Sequence, residues 1–328
     1  MTPPAPARRP DGGERAGTQL PLRALAPAKI NLGLFLGPLR TDGRHELASV
    51  MQSISLADEL TLDLAPPGAA RDEVLCEGVA GENLAALALA RFRAATGWDA
   101  EALRLRIDKR IPVAAGLGGG SADAAAALRL ASAASGLGDR DLLFALAREL
   151  GADVPAQVTP GRWLAGGAGE VLEELAPSVS PLGVLILAQA GGLSTAEVYA
   201  AADRLASSRT GGGARDVLSL RERRRALATA FELGAPLPAD DRLLHNDLQP
   251  ASVELCPGIP RALEDAREAG ADAAFVSGSG PTVVGLFARA NGLARARRAA
   301  AGLAGREPAP LVAEPVDASF ARVQQLGT

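Results

Sequence analysis

Cysteine, histidine and aromatic residues are scarce in this chain, and it has no long apolar run. The two cysteines of the 328 residues, Cys76 and Cys256, lie far apart in no Cys-x-x-Cys or His pattern, which predicts neither a disulfide framework nor a zinc site and is typical of a reducing compartment. The most apolar stretch, Leu182–Ala190, is too short to span a bilayer. The net charge of −4 provides no basic field for nucleic acid. We therefore expect a soluble cytoplasmic protein without a nucleic-acid or membrane partner.

The N-terminal segment also lacks an apolar run. It is rich in proline, glycine and arginine, and although Arg8 and Arg9 resemble a twin-arginine start, no hydrophobic segment follows them. We predict a disordered tail over residues 1–21. The remaining length is sufficient for two ordinary domains.

Lysine is almost absent, because arginine carries nearly all of the positive charge. The only two lysines are Lys29 and Lys109. Lysine presents a compact ammonium, whereas arginine presents a wide planar fork. Two isolated lysines can arise by chance, but both lie in segments that carry other functional signals. We therefore interpret both as candidate site residues.

Glycine, by contrast, is concentrated in one loop. Four of the five residues of Gly116–Gly120 are glycine, and Ser121 and an alanine-rich run that predicts a helix follow. Such a loop directs several backbone N–H groups at one point, which favours a polyphosphate, although many such loops are only tight connections. The Gly-Lys-Ser/Thr ending of a Walker loop is missing, and Ser121 stands where a dinucleotide fingerprint needs glycine. We expect Ser121 to cap the helix or to offer its hydroxyl to Mg²⁺.

Two segments far from this loop carry a lysine and a carboxylate. Residues 22–36 predict two β segments around Pro27, and the apolar alternation of the second places Lys29 and Asn31 together on the opposite face. Asp153 follows a predicted helix, whose dipole disfavours a carboxylate there unless a cation pairs with it. Lys29 is a candidate for that cation. The alternatives are a solvated strand face and an aspartate that only caps the next turn.

Three segments together resemble the motifs of the GHMP small-molecule kinases. They are APAKINLGL at 26–34, PVAAGLGGGSADAAAAL at 112–128 and SGSGPTVVGLF at 277–287. Further motifs follow the order of one branch, which phosphorylates a cytidine-diphosphate methylerythritol: RTDGRHEL at 40–47, ENL at 82–84, GADVP at 151–155, GAGE at 167–170 and NDLQP at 246–250. Each motif is weak alone, but the ordered set is specific and covers roughly residues 24–320.

The resemblance implies an α+β, two-domain GHMP kinase fold. A ribosomal-protein-like α/β domain over residues 22–168 would bind ATP, and a ferredoxin-like domain over 169–325 would bind the second substrate. The order β-α-α-β-β-α-β predicted for the second half of the chain agrees with this fold. The implied reaction is transfer of the ATP γ-phosphate to the 2-hydroxyl of the cytidine-diphosphate methylerythritol in the non-mevalonate isoprenoid pathway, with Mg²⁺ as a cofactor. We expect a monomer or a weak homodimer.

The resemblance also implies roles for particular residues. Lys29 and Asp153 would be the catalytic pair. The nucleotide-binding residues would be Asn83, Lys109, Pro112, Val113, Ala114, Ala115, Gly116, Leu117, Gly118, Gly119, Gly120, Ser121 and Ala122. The substrate-binding residues would be Asn31, Arg44, His45, Thr195 and Tyr199. His45 is expected at the cytosine edge, and Tyr199 offers a ring to the base. No metal ligand is assigned; Asp123 is a candidate, and the alternative is that it faces solvent.

The chain departs from the family pattern in two places. It has Asp-Gly-Arg44-His45 where the family usually has Asp-Gly-Tyr-His, so a guanidinium that can stack on the base or pair with the diphosphate replaces an aromatic ring. Residues 190–192, Ala-Gly-Gly, replace the usual Pro-Gly, which leaves the shape of that loop open. The competing interpretations are a homoserine or mevalonate kinase, which the ordered motifs disfavour, and a catalytically inactive nucleotide-binding protein, which retention of Lys29 and Asp153 disfavours.

Overall fold

A computed structural model describes residues 20–79, 81–178, 181–208 and 217–327 of the protein. The disordered tail predicted for residues 1–21 therefore lies outside the described residues, apart from its last two. Leu20 packs against the core of the first sheet, and the carbonyl of Pro21 accepts a hydrogen bond from the backbone of Leu326 at 3.0 Å. The two ends of the described chain thus meet.

The described residues form strands and helices in alternating groups. The strands are β1 (Leu22–Leu39), β2 (His45–Leu64), β3 (Glu73–Cys76), β4 (Leu103–Asp108), β5 (Arg162–Gly166), β6 (Val171–Leu175), β7 (Gly183–Leu187), β8 (Ala273–Val276), β9 (Val283–Phe287), β10 (Leu311–Ala313) and β11 (Gln324–Gln325). The helices are α1 (Leu84–Thr96), α2 (Gly119–Ser135), α3 (Arg140–Leu150), α4 (Val154–Val158), α5 (Thr195–Ser208), α6 (Val217–Phe231), α7 (Gln249–Leu255), α8 (Ile259–Glu268) and α9 (Gly292–Gly302). No helix in these ranges combines the length and the apolar character needed to cross a membrane.

The first sheet is organised around the long β1–β2 hairpin. Its order is β11-β1-β2-β4-β3, and β5 and β6 extend it from the other half of β2. The sequence predicts two segments around Pro27, but β1 is one strand of 18 residues. Its register against β2 shifts between Pro27 and Ala28, because proline has no N–H for the ladder and a bulge absorbs the interruption.

The second sheet has the order β10-β7-β9-β8. Along the chain its elements run from β7 through helices to β8 and β9, then through α9 to β10. This is the βαββαβ arrangement of ferredoxin-like domains, and it agrees with the predicted order of elements. The boundary predicted at residues 168 and 169 lies between β5 and β6, which pair with each other in the first sheet.

Local sequence signals account for several element ends. The side chain of Asn83 caps α1 by accepting from the backbone N–H of Ala85 at 2.9 Å. Asp139 caps α3 in the same way, accepting from Leu142 at 2.9 Å. The alanine-rich α2 is buried along most of its length and packs against β1, α1 and α4, since small side chains allow close approach. This packing places the start of α2 beside β1.

Candidate active site

A cavity of about 510 Å³ opens beside the N-terminal end of α2. The first half of the chain contributes β1, the glycine-rich loop and the segment before α4 to its wall. The second half contributes the start of α5 and the turn between β8 and β9. A cleft of this size between two sheets suits small-molecule ligands.

The glycine-rich loop leads into a helix whose N-terminus is open to this cavity. Gly118 precedes α2 with a φ of +70°, which glycine adopts without strain, and no side chain caps the helix. The unpaired N–H groups and the positive end of the helix dipole therefore provide a site for an anion. Capping by Ser121 is a wrong expectation: α2 already begins at Gly119, because the left-handed turn is completed at Gly118, and Ser121 lies inside the first helical turn.

Lys29 and Asp153 lie together on the wall of the cavity. The Nζ of Lys29 is 3.2 Å from Oδ2 of Asp153, which confirms the predicted ion pair. Lys29 is only 7% exposed, whereas the side chain of Asp153 is 36% exposed, so the carboxylate is the more accessible partner. Asp153 makes no capping hydrogen bond to α4, which contradicts the interpretation that it only caps the next turn.

A buried chain of hydrogen bonds orients Lys29. Its Nζ donates to Oδ1 of Asn31 at 2.7 Å, as expected for neighbours on one strand face. The Nδ2 of Asn31 donates to Oγ of Ser49 at 2.8 Å, and the hydroxyl of Ser49 donates to the carbonyl of Gly33 at 2.7 Å. This chain fixes the amide of Asn31 with its oxygen toward the ammonium. Ser49 was not predicted as a site residue, because its partners Asn31 and Gly33 lie on a different strand, far from it in the sequence.

A turn from the second half of the chain, Ser277–Pro281, closes against the glycine-rich loop. A Cβ built on Gly116 would lie 2.5 Å from the carbonyl oxygen of Ser277, and a Cβ on Gly278 would lie 3.4 Å from Nζ of Lys29. Asn246 holds this turn, since its Nδ2 donates to the carbonyls of Val276 and Gly278 at 2.7 and 2.8 Å. The NDLQP motif marked Asn246, but sequence reasoning assigned it no role.

Lys109 lies between two buried carboxylates at the end of β4. Its Nζ donates to Oδ2 of Asp58 at 2.5 Å and to Oδ2 of Asp123 at 2.8 Å. The other oxygen of Asp58 accepts from the backbone N–H groups of Arg110 and Ile111 at 2.6 and 2.8 Å. Asp58 and Lys109 therefore connect β2 and the segment that leads into the glycine-rich loop to the first turns of α2.

The surroundings of Asp123 and Lys109 shift the pKa values of both side chains. Burial raises the pKa of Asp123 to about 7, although the ammonium of Lys109 acts in the opposite direction. Burial alone would lower the pKa of Lys109, but Asp123 and Asp58 outweigh it and raise the pKa. Asp123 is 3% exposed, so the alternative that it faces solvent is wrong; it lines the cavity, and its Oδ1 has no hydrogen-bond partner among the described residues.

Most residues expected on the nucleotide side do line the cavity. They are Asn83, Lys109, Pro112, Val113, Ala114, Ala115, Gly116, Leu117, Gly118, Gly119, Gly120 and Ser121. Ala122 does not, because it is fully buried in α2. Ala114 has a φ of +53°, a conformation that is unfavourable for a residue with a Cβ. The loop therefore carries backbone strain at the cavity wall.

The residues expected to bind the second substrate divide into two groups. Asn31, Thr195 and Tyr199 line the cavity, and the hydroxyl of Thr195 is 3.1 Å from that of Ser279. Arg44 does not line it; this side chain is exposed, and its guanidinium lies 3.4 Å from the carboxylate of Asp42.

His45 also lies outside the lining, behind Tyr199. It is 7% exposed, with Nδ1 3.0 Å from the carbonyl of Gly37 and Nε2 3.1 Å from the carboxylate of Asp203. Its ring stacks on that of Tyr199 with centroids 5.8 Å apart. His45 therefore supports the ring of Tyr199 from the protein side, a contact between α5 and β2 that the local sequence did not indicate.

The match to known families agrees with this fold and site. Residues 83–161 match the family model described as GHMP kinases N terminal domain, and residues 227–304 match GHMP kinases C terminal. The crystal structure of a homoserine kinase from Cytophaga hutchinsonii superposes with a TM-score of 0.67 over 93% of this chain and 97% of that chain, at 16% identity, which shows the shared fold. The fold is thus that of the GHMP class of small-molecule kinases.

Relatives at higher identity define the family within that class. A 4-diphosphocytidyl-2-C-methyl-D-erythritol kinase of Salinispora arenicola is 41% identical over 294 residues, covering 87% of this chain and 89% of the relative. One from Anaeromyxobacter dehalogenans is 40% identical, covering 87% and 88%. A crystal structure of 4-(cytidine 5'-diphospho)-2C-methyl-D-erythritol kinase is 32% identical, with a TM-score of 0.69 over 89% of this chain and 98% of that chain. The chain belongs to the family of 4-diphosphocytidyl-2-C-methyl-D-erythritol kinases.

Proposed function

We propose that this protein transfers the γ-phosphate of ATP to the 2-hydroxyl of 4-diphosphocytidyl-2-C-methyl-D-erythritol, giving the 2-phosphate and ADP. The observation that carries the proposal is the Lys29–Asp153 pair beside the open N-terminus of α2. A polyphosphate at that helix end would place its terminal phosphoryl group next to a paired ammonium and carboxylate. Family membership supports the choice of acceptor, because the relatives carry the name of this substrate.

In the proposed reaction, Asp153 accepts the proton of the acceptor hydroxyl. A tertiary alcohol is a weak nucleophile, and a positioned carboxylate assists it as the oxygen attacks the γ-phosphorus and the bond to ADP breaks. The ammonium of Lys29 offsets negative charge on the attacking oxygen and on the transferred group. Asn31 holds that ammonium in place. Most of the acceleration comes from in-line positioning and charge neutralisation.

Mg²⁺ is part of the proposal, bound chiefly through the nucleotide phosphates. Within the described ranges no group of three or more His, Cys, Asp or Glu side chains is arranged to hold a metal ion. Magnesium in kinases commonly has few protein ligands, so the hydroxyl of Ser121 on the cavity wall fits that role. Asp123 also lines the cavity, but its Oδ2 accepts from Lys109, and we propose no metal contact for it. When bound, the ion would neutralise phosphate charge.

The cytidine end of the acceptor is assigned to the opposite part of the cavity. Tyr199 presents its ring there, and Thr195 supplies a hydroxyl. Arg44 lies at an exposed turn outside the lining, so we propose that it reaches the base or the diphosphate from the rim. The proposed domains are residues 22–168 for ATP and 169–325 for the acceptor, in a monomer or weak homodimer.

A coupled assay of ADP release tests this function. The acceptors are 4-diphosphocytidyl-2-C-methyl-D-erythritol, mevalonate and homoserine, each with ATP and Mg²⁺. We expect turnover with the first and none above background with the others. Turnover with mevalonate or homoserine alone would assign the chain a different substrate, and ATP binding without turnover on any acceptor would contradict a catalytic role.

A further inference from the structure

Two side chains behind the cavity wall connect β1 to α4. The carbonyls of Leu25 and Pro27 belong to alternate residues of β1, and both accept hydrogen bonds from side chains. The Nη2 of Arg129 in α2 donates to the carbonyl of Leu25 at 2.8 Å, and the Nε2 of Gln157 in α4 donates to the carbonyl of Pro27 at 2.9 Å. The backbone N–H of Lys29 then donates to the carbonyl of Leu117 at 2.9 Å.

Arg129 also bonds to α4 directly. Its Nη1 donates to the backbone carbonyl of Gln157 at 2.5 Å. Gln157 is 1% exposed, and its Oε1 accepts from the hydroxyl of Ser53 at 3.3 Å. One guanidinium therefore bridges β1 and α4, and one amide bridges α4 to β1 and β2. We call Arg129 and Gln157 the strand–helix clamp.

Arg129 is half-buried and donates to backbone carbonyls rather than to a carboxylate. Among the described residues no carboxylate pairs with Arg129, its Nε is buried without a partner, and burial lowers the pKa of Arg129 to about 10. Partial burial of a guanidinium without a counter-charge has a desolvation cost, which these hydrogen bonds offset. What they add is a direct connection between β1 and α4.

We propose that Arg129 and Gln157 are positioning residues that set the separation of Lys29 and Asp153. Lys29 follows Pro27 on β1, and Asp153 directly precedes α4, so the clamp spans the same two elements as the ion pair. Fixing β1 against α4 fixes the distance from the ammonium to the carboxylate. The expected effect on catalysis rests on the proposed function, whereas the expected effect on the Lys29–Asp153 distance does not.

The test uses Arg129→Met, with Arg129→Lys and Gln157→Leu as milder changes. Arg162→Met is the matched control: burial likewise lowers the pKa of Arg162 to about 10, and its guanidinium donates to Oε1 of Gln52 and to the carbonyl of Ala235, outside the cavity. We expect Arg129→Met to lower kcat about ten- to a hundredfold, since a misplacement of about 1 Å has that effect, with both KM values within about threefold.

The milder variants and the control separate positioning from stability. Arg129→Lys keeps one nitrogen that can donate hydrogen bonds, so its kcat should be higher than that of Arg129→Met. The kcat of Gln157→Leu should lie between the values of the two Arg129 variants. Arg162→Met should lower the melting temperature by a similar amount while kcat of the folded enzyme stays within about threefold of wild type. Equal loss of kcat in Arg129→Met and Arg162→Met, or no loss in Arg129→Met, would overturn the proposal.

Two further measurements separate the clamp from the proposed function. In an Asp153→Asn background, Arg129→Met should lower kcat little further, because the effects of residues that act through one another are not additive. A loss of kcat as large as in the wild-type background would overturn the role of the clamp. A crystal structure of Arg129→Met should show the Lys29–Asp153 distance lengthened beyond the ion-pair limit of about 4 Å. An unchanged 3.2 Å would refute the clamp whatever the acceptor is, whereas failure of the wild-type assay would refute the proposed function alone.

Discussion

The Nζ of Lys29 lies 3.2 Å from Oδ2 of Asp153, in the cavity that β1, the glycine-rich loop and the segment before α4 line together. The lysine is buried and the carboxylate faces the cavity. This difference in exposure suits the two proposed roles: Lys29 as the cation that stabilises negative charge, and Asp153 as the base that the acceptor can reach.

Replacing either member of the pair should remove catalysis without removing nucleotide binding. We expect Asp153→Asn and Lys29→Ala to lower kcat at least about a hundredfold, the usual contribution of a positioned acid or base. ATP affinity should change modestly, because the helix end and the loop remain. Steady-state kinetics and equilibrium binding of a non-hydrolysable ATP analogue measure the two effects. Near-normal turnover in either variant would refute the assigned roles.

Gly118 should be required for the position of Lys29 as well as for the loop. A Cβ at Gly118 would lie 2.9 Å from Cγ of Lys29, whereas a Cβ at Gly136, at the other end of α2, meets nothing within 4 Å. Both glycines are left-handed, so Gly118→Ala and Gly136→Ala should each cost about 1–2 kcal/mol of stability. Only Gly118→Ala should lower kcat, by at least about tenfold. Comparable kinetics for the two variants would contradict this.

Asp123 should make stability depend on pH in the opposite sense to most carboxylates. Its pKa is raised to about 7 by burial, so between about pH 4 and pH 7 the folded protein holds a proton that the unfolded chain has lost, and stability falls as pH rises. Asp123→Asn removes this term. The melting temperature of the variant minus that of wild type should therefore increase from about pH 5 to about pH 8. A difference that is flat, or that declines with pH, would contradict the assignment.

Arg44 should affect the cytidylyl substrate and not ATP. We expect Arg44→Ala to raise the KM of that substrate by about three- to tenfold, consistent with one surface-exposed contact to a base or diphosphate. Arg242→Ala is the matched control, because Arg242 is also exposed and paired with the aspartate two positions before it, at 2.8 Å. An unchanged substrate KM in Arg44→Ala, or an equal effect in Arg242→Ala, would exclude the role.

The sequence predicted what depends on local patterns. Strand alternation placed Lys29 beside Asn31, and the alanine-rich run after the glycine-rich loop predicted the helix α2. The pairing of Lys29 with Asp153 was predictable because a carboxylate at a helix C-terminal end needs a cation and the chain has few lysines.

The features of the fold and of the site that were not predicted depend on contacts between distant segments of the chain. The continuity of β1 through Pro27 comes from its long pairing with β2, and the burial of Asp123 comes from packing of α2 against the sheet. The position of His45 behind Tyr199 needs α5 to pack on β2. No local pattern encodes such packing, so the break expected at Pro27 and the solvent-facing alternative for Asp123 were wrong. The cap expected at Ser121 was wrong because α2 begins two residues earlier, at Gly119.

The turn Ser277–Pro281 makes the first half of the chain dependent on the second. A fragment ending after β6 would keep Lys29, Asp153 and the whole glycine-rich loop, yet Gly116 and the ammonium would have water where that turn now packs. Hydration weakens the electrostatic interactions of a charged pair. The ion pair is therefore shielded from water on this side only when a segment that follows β6 has folded onto β1 and the glycine-rich loop.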